Sequence, residues 1–267
     1  VRPPDRITRG FTWAFEVPWR TRLLLGVGRR LRDWGIAAWI ARALPGTGRL
    51  APVRRALLML SGSSSWRPER FDAHGAAPRA DSSSAPGAAT PSRPRTALLE
   101  GCVQAGLLQR VNEATRAVLS VNGFSIRPAP GQGCCGAVHA HAGDMEGARR
   151  LARINIAAFE AAGVDRIAVN AAGCGAALRE YGAWLAVDPT WGDRGRDIAE
   201  RCADVTELLE EQGPMQGAPL GGSVVYHPPC HLEHAQGVHA APRAVLRAIP
   251  GLEVRSAERA SECCGGA

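Results

Sequence analysis

The stretch DRIAVNAAGCGAALREYGAWL, residues 165–185, carries the reading on which the fold depends. DRIAVNAAG has the short, bounded apolar run of a buried strand, and CGAALREYGAWL has helical spacing. Similar units lie on both sides. RTALLEG (95–101) reads as a strand, GLLQRVNEATRAVLSVNG (106–123) as a helix stopped by Gly123, and FSIRPAP (124–130) as a second strand. MEGARRLARINIAAFEAAG (145–163) is a helix ending at Gly163. Downstream, GRDIAERCADVTELLEEQG (195–213) reads as one long helix and GSVVYHPP (222–229) as another strand. Strands alternating with helices in this rhythm predict an α/β fold with parallel sheets.

The cysteines fall at matching places. Cys102 follows the first strand, Cys134 and Cys135 lie in the loop after the second, and Cys174 follows the third. In an open parallel sheet the carboxyl ends share one edge, where such folds build their sites. Four sulfurs spread over more than 70 positions are therefore expected to converge. Thiolates select zinc or iron–sulfur clusters. A structural zinc site usually shows short C-x2–4-C knuckles, whereas 31 residues lie between Cys102 and Cys134 and 38 between Cys135 and Cys174. Adjacent thiolates suit a polynuclear cluster, whose several irons take sulfurs from different directions. Gly136 is expected to let the backbone turn against the cofactor.

The chain also repeats itself. TRAVLSVNGFSIR (115–127) matches PRAVLRAIPGLEVR (242–255), and the triplet CCG recurs at 134–136 and 263–265. Cys230 lies 128 positions after Cys102, and Cys263 129 after Cys134. Shared helix, spacing and triplet identify an internal duplication whose second copy, with Cys230, Cys263, Cys264 and Gly265, stops at residue 267. The expected organisation is a helical connecting segment over 1–61, a flexible linker over 62–95, a first module over 96–221 and a truncated second one over 222–267. The linker is rich in Ser, Ala, Pro and Gly and contains His74.

Composition narrows the function. The formal charge of +7 comes entirely from arginine, and the basic residues lack the clustering with aromatics that a nucleic-acid surface needs, so no nucleic-acid partner is expected. No G-x-G-x-x-G follows a strand, and no serine, histidine and carboxylate set stands out. There is no apolar leader or run long enough to span a bilayer. Clustered cysteines then point to a reducing, cytoplasmic setting. WRTRLLLGVGRRLRDW (19–34) and IAAWIARAL (36–44) read as amphipathic helices that pack on a partner, or lie on a membrane surface; Gly26 and Gly28 interrupt the first. Cys202 reads as a helix-packing cysteine, Tyr181 and Trp184 as packing residues, and His234 and His239 as solvated.

Together, Cys102, CCG (134–136), Cys174 and the second Cys230 with CCG (263–265) resemble the cysteine-rich CCG domain of the heterodisulfide reductases and their relatives. EGCVQ, CCGAVHAHAGD, NAAGCGAALREYG and YHPPCHLEHAQG are most similar to the iron–sulfur subunit of glycolate oxidase (glycolate dehydrogenase), over about residues 96 to 267. The resemblance implies a 4Fe-4S type iron–sulfur cluster held by Cys102, Cys134, Cys135 and Cys174, and an incomplete second site with Cys230, Cys263 and Cys264. It implies electron relay from FAD-binding 2-hydroxy acid dehydrogenase subunits towards quinone or another acceptor, at the inner face of the plasma membrane, with no catalysis by this chain alone. His227 and His231, beside Cys230, and His139, after the first CCG, would tune the cluster by hydrogen bonds. The chain departs from the family where Gly175, Ala176 and Ala177 follow Cys174 without closing a C-x-x-C pair, and where Pro228 replaces an acidic residue. Relatives also carry a ferredoxin-like module with C-x2-C-x2-C-x3-C-P runs; neither run occurs here, so a fragment is expected. Two other readings stay open: zinc at one site in a docking module that carries no electrons, and a thiol–disulfide redox subunit of the heterodisulfide type.

Overall fold

The computed structural model describes residues 6–48, 50–63, 94–258 and 260. Cys263, Cys264, Gly265, His74 and almost all of the expected linker lie outside the described residues.

Four helices come first: α1 (Arg6–Glu16), α2 (Pro18–Asp33), α3 (Ile36–Ala43) and α4 (Ala51–Gly62). The predicted interruption of α2 by Gly26 and Gly28 does not occur, because packing replaces the missing propensity. Gly28 lies against Leu60 of α4. No helix among the described residues is long and apolar enough to cross a membrane.

The α/β portion begins with β1 (Arg95–Leu98), α5 (Cys102–Leu107), α6 (Gln109–Val121) and β2 (Ser125–Ile126). There follow α7 (Ala137–His141), α8 (Met145–Ala161), β3 (Arg166–Val169), α9 (Ala172–Arg179) and α10 (Tyr181–Trp184). The first sheet is parallel throughout, in the order β2-β1-β3-β4, with β4 spanning Cys202–Asp204.

Alternation along the strands divides the core. Ala97, Leu99, Ile167, Val169 and Cys202 face one side, with Leu151, Ile156 and Phe159 of α8 and Leu178 of α9. Leu98, Ala168 and Ala203 face the other, with Leu119 of α6. Period-two alternation buries both faces, as a parallel sheet requires. The N-terminal helices dock through Leu25 of α2, which sits so close to Gly106 of α5 that any larger residue there would overlap it.

One expected helix is a helix, a strand and a helix. α11 (Gly192–Arg201) ends at β4, and α12 (Val205–Gln212) begins directly after it. The cause is a capping box. Asp204 accepts from the Thr206 amide at 2.9 Å, and Glu207 accepts from the Asp204 amide at 2.8 Å. This pairing satisfies amides that a new helix start leaves free. Cys202 is thus a strand residue, buried in the core and not on a helix face, and burial pushes its thiol up to about 12.

The duplication appears as geometry. β5 (Gly222–Tyr226) pairs in parallel with β6 (Leu252–Ser256), as β1 pairs with β2. A helix bearing RAVL precedes the second strand of each pair: α6, and α13 (Ala241–Arg247). Gly123 and Gly251 hold positive φ (91° and 77°) at equivalent turns.

Arg95 clamps the start of β1 to the turn before β3. Its guanidinium donates to Asp165 at 2.7 and 3.1 Å, and its amide donates at 2.9 Å. These bonds hold the Asp165 carboxyl down to about 2. Because this lies below the unfolded value of about 4, the contribution is present above that pH and disappears as pH falls towards 2. Asp165→Asn should lack it, so the stability gap between native and variant should narrow from pH 5 to pH 2 in urea titrations followed by circular dichroism.

Candidate metal and redox site

The strand order places the site. β1 connects outward to β2 and β3 outward to β4, in opposite directions, so the crevice between β1 and β3 lies at the carboxyl edge. Cys102 opens α5 just after β1, and Cys174 lies in the first turn of α9 just after β3. The loop after β2 brings Cys134 and Cys135.

Polar side chains tie these loops to the strand ends. Gln132 donates to the Leu98 carbonyl at 3.1 Å and accepts from the Glu100 amide at 2.8 Å, seating the CCG loop against β1. Asn170, at the end of β3, donates to Asn112 and Thr115 of α6 at 2.9 Å each, and Asn112 donates to the Glu100 carbonyl at 2.8 Å. Asn155 of α8 and Tyr181 of α10 bond to the backbone of the CCG loop itself.

The four sulfurs converge. Cys102 and Cys134 are 3.4 Å apart, and Cys135 and Cys174 lie near enough to shift the ionisation of their neighbours. All four are free thiols; Cys134 and Cys135 are buried, and Cys102 and Cys174 partly so. A small cavity of about 40 Å³ adjoins Cys102 and Cys134, with Thr21 of α2 on its wall. Hydrogen bonds from the Cys102 and Cys135 thiols pull Cys134 down to about 3 against burial, with the Gly136 amide and His139 adding to the effect. Cys102 and Cys135 move up, first because each shares its hydrogen with Cys134 and then through burial. One thiolate cradled by thiols is a set of soft donors that a metal cluster would complete.

His139 is 1% exposed. Its Nδ1 lies 2.8 Å from Asp144 Oδ2, while Nε2 is buried without a partner. Asp144 caps α8 through the Gly147 amide at 2.9 Å. Burial opposes its ionisation, but the bonds from His139 and Gly147 outweigh that, and its carboxyl sits below the usual value. A carboxylate only accepts, so it orients the imidazole by taking the Nδ1 hydrogen. The thiol set fits a metallic group, and the orphaned Nε2 leaves His139 one unspent polar atom. Among the described residues, no three His, Cys, Asp or Glu side chains are grouped tightly enough to hold a single ion.

Gly136 makes the glycine turn expected of it and also clears a close packing contact. It adopts φ 89°, and a Cβ there would lie 3.2 Å from the Ala148 carbonyl and 3.3 Å from the Trp184 ring. Protein packing by itself already demands glycine here.

In the second repeat, Cys230 is half-buried at the start of a π-helical turn, His231–Ala235. His231 packs its ring against His141, centroids 5.8 Å apart, so the turn touches the first repeat beside α7. His227, at the end of β5, is exposed, as are His234 and His239, which lie near Glu233. Gln236 donates to the Ala172 carbonyl at 2.9 Å and lies over Gly175, so the Cys230 turn docks on the helix that bears Cys174.

Residues 96–179 and 224–267 match the family model described as CCG, cysteine-rich domain. The uncharacterized protein YkgE of Escherichia coli (strain K12) is 31% identical over 166 residues, which are 61% of this chain and 69% of that protein. The chain belongs to the CCG cysteine-rich domain family. The first matched segment holds Cys102, Cys134, Cys135 and Cys174, and the second holds Cys230, Cys263 and Cys264. Two further relatives are the probable glycolate oxidase iron–sulfur subunit of Bacillus subtilis (strain 168) and the glycolate oxidase iron–sulfur subunit of E. coli (strain K12). Each is 37% identical, over 180 and 178 residues, covering 66% and 65% of this chain. The chain spans 40% and 43% of their lengths. No solved structure matches.

Of the residues that hold the CCG loop, Gln132, Asn155 and Asn170 carry no expectation from sequence, and Tyr181 does more than pack. Asn155 had a legible signal, because it interrupts the apolar stripe Leu151, Ala152, Ile156 and Phe159. Gly136→Ala should destabilise the chain by about 1–3 kcal/mol through its strained φ and lost clearance. Denaturant titration would measure this, and faster alkylation of Cys135 should accompany it.

Proposed function

We propose that this chain is the iron–sulfur, electron-transfer part of a flavin-dependent 2-hydroxy acid oxidase or dehydrogenase, with glycolate as the substrate of the complex. The carrying observation is the convergence of four free thiols at the carboxyl edge of the sheet, with Cys102 and Cys134 in contact, supported by the names of the two glycolate oxidase relatives. Cys102, Cys134, Cys135 and Cys174 would hold a cluster of the 4Fe-4S type, and Cys230, Cys263 and Cys264 would contribute to a second site. The repeats, 96–221 and 222–267, would act as two cysteine-rich modules behind the helical segment 1–61 and the linker 62–95.

When bound, such a cluster accepts one electron and passes it on, with a potential set by charge, hydrogen bonds and exposure. The protein supplies the last two. Cys134 and Cys135 keep water from the inner sulfurs, because both are buried. His139, oriented by Asp144 and with Nε2 unpartnered, would offer that nitrogen to the cluster, and Gly136 seats the loop. His227 and His231 would serve Cys230 in the same way. Electrons would arrive from an FAD-binding subunit and leave to quinone or another acceptor, with the chain peripheral at the cytoplasmic face of the plasma membrane. The exposed Trp13, Trp19, Trp34 and Trp39 of the N-terminal helices suit such contact.

The test is composition. The chain purified without oxygen should contain iron and acid-labile sulfide in comparable amounts and give an EPR signal that changes with dithionite. Cys134→Ser and Cys135→Ser should each abolish that signal, while Cys202→Ser should leave it intact. Stoichiometric zinc without iron or sulfide would replace this reading with that of a docking module.

A further inference from the structure

A polar side chain on the buried stripe of α8 costs stability unless its hydrogen-bonding atoms are satisfied. Both polar atoms of Asn155 have partners. Its Oδ1 accepts from the Gly133 amide at 2.8 Å. Its Nδ2 donates to the Cys134 carbonyl at 2.8 Å and to the Tyr181 hydroxyl at 3.0 Å. The Tyr181 hydroxyl in turn donates to the Cys135 carbonyl at 2.9 Å. Asn155 and Tyr181 are both wholly buried. Two side chains from two helices therefore grip three consecutive residues of the vicinal-cysteine loop.

The grip has a direction. The Cys135 carbonyl and the Gly136 amide belong to one planar trans peptide, so they point opposite ways. Holding that carbonyl on Tyr181 turns the Gly136 N–H the opposite way, away from the hydroxyl, and the Gly136 amide favours the Cys134 thiolate. We propose that Asn155 and Tyr181 are positioning residues, a buried clamp that sets the orientation of the Cys134–Cys135–Gly136 peptides and so aims an amide at the Cys134 sulfur. On the iron–sulfur reading, that amide also stabilises the added electron, because hydrogen bonds to cluster sulfurs help set the potential.

Tyr181→Phe tests the clamp, since the ring still fills its place and only the hydroxyl is lost. In the metal-free chain, iodoacetamide alkylation of each cysteine can be followed by peptide mass spectrometry. Cys134 and Cys135 should react about fivefold faster, the factor that corresponds to one lost net hydrogen bond of about 1 kcal/mol. Cys202, buried in the same core, should keep its rate. Asn155→Asp retains the acceptor for Gly133 but cannot donate to Cys134, and should show the same pattern. Equal acceleration at Cys202 would make both residues ordinary core members and overturn the proposal. Unchanged rates at Cys134 and Cys135 would also overturn it. In the iron-loaded chain, Tyr181→Phe should keep its iron content but shift to a more negative midpoint potential; an unchanged potential would overturn the electronic half. A native chain that takes up no iron or sulfide sinks the iron–sulfur reading instead, and leaves the alkylation comparison standing.

Discussion

Parallel pairing of β1 with both β2 and β3 is the constraint on which the rest depends. It puts three carboxyl ends on one edge and, with β4 beyond β3, makes the chain leave β1 and β3 in opposite directions, which opens a crevice between them. Cys102 and Cys174 stand on the two sides of that crevice, and the CCG loop closes over it from β2. Antiparallel pairing of any of these strands would send its cysteine to the opposite end of the sheet. The sheet can be parallel only because both faces are covered, α8 packing on one and α6 and α12 on the other.

The site then follows from how exposed thiols are turned inward. Vicinal cysteines bring two adjacent peptide groups into the interior, and each buried carbonyl needs a donor. Asn155 and Tyr181 supply those donors, and Gln132 fastens the preceding turn to β1. His139 and Asp144 form a second buried pair on the same loop's helix, leaving one ring nitrogen unspent. The second repeat leans its Cys230 turn on α9 through Gln236 and on α7 through His231. The two repeats thus meet at the cysteine-bearing side of the first, where electrons would need to pass on the proposed function.

Much of this was legible in the chain. Strand-then-helix alternation and the position of each cysteine after a strand are local patterns, and a parallel sheet turns them into convergence without further information. The repeated RAVL and CCG carried the duplication. The break at β4 was also local, since Asp204 and Glu207 have capping-box spacing, but the strong helical pattern on both sides hid it. Gly26 and Gly28 misled in the opposite direction, because their helix is supported by α4 and α5 rather than by propensity.

What the sequence by itself determined is the class of fold, the duplicated device and the set of soft donors, because periodicity and residue chemistry are properties of neighbours along the chain. Only the tertiary structure decided that Asn155 and Tyr181 reach the two cysteine carbonyls, that Gly136 answers to Ala148 and Trp184, and that His139 keeps a buried nitrogen unpartnered. Those contacts join residues up to 48 positions apart. Their geometry exists only once the helices have packed on the sheet, so no local pattern could encode it.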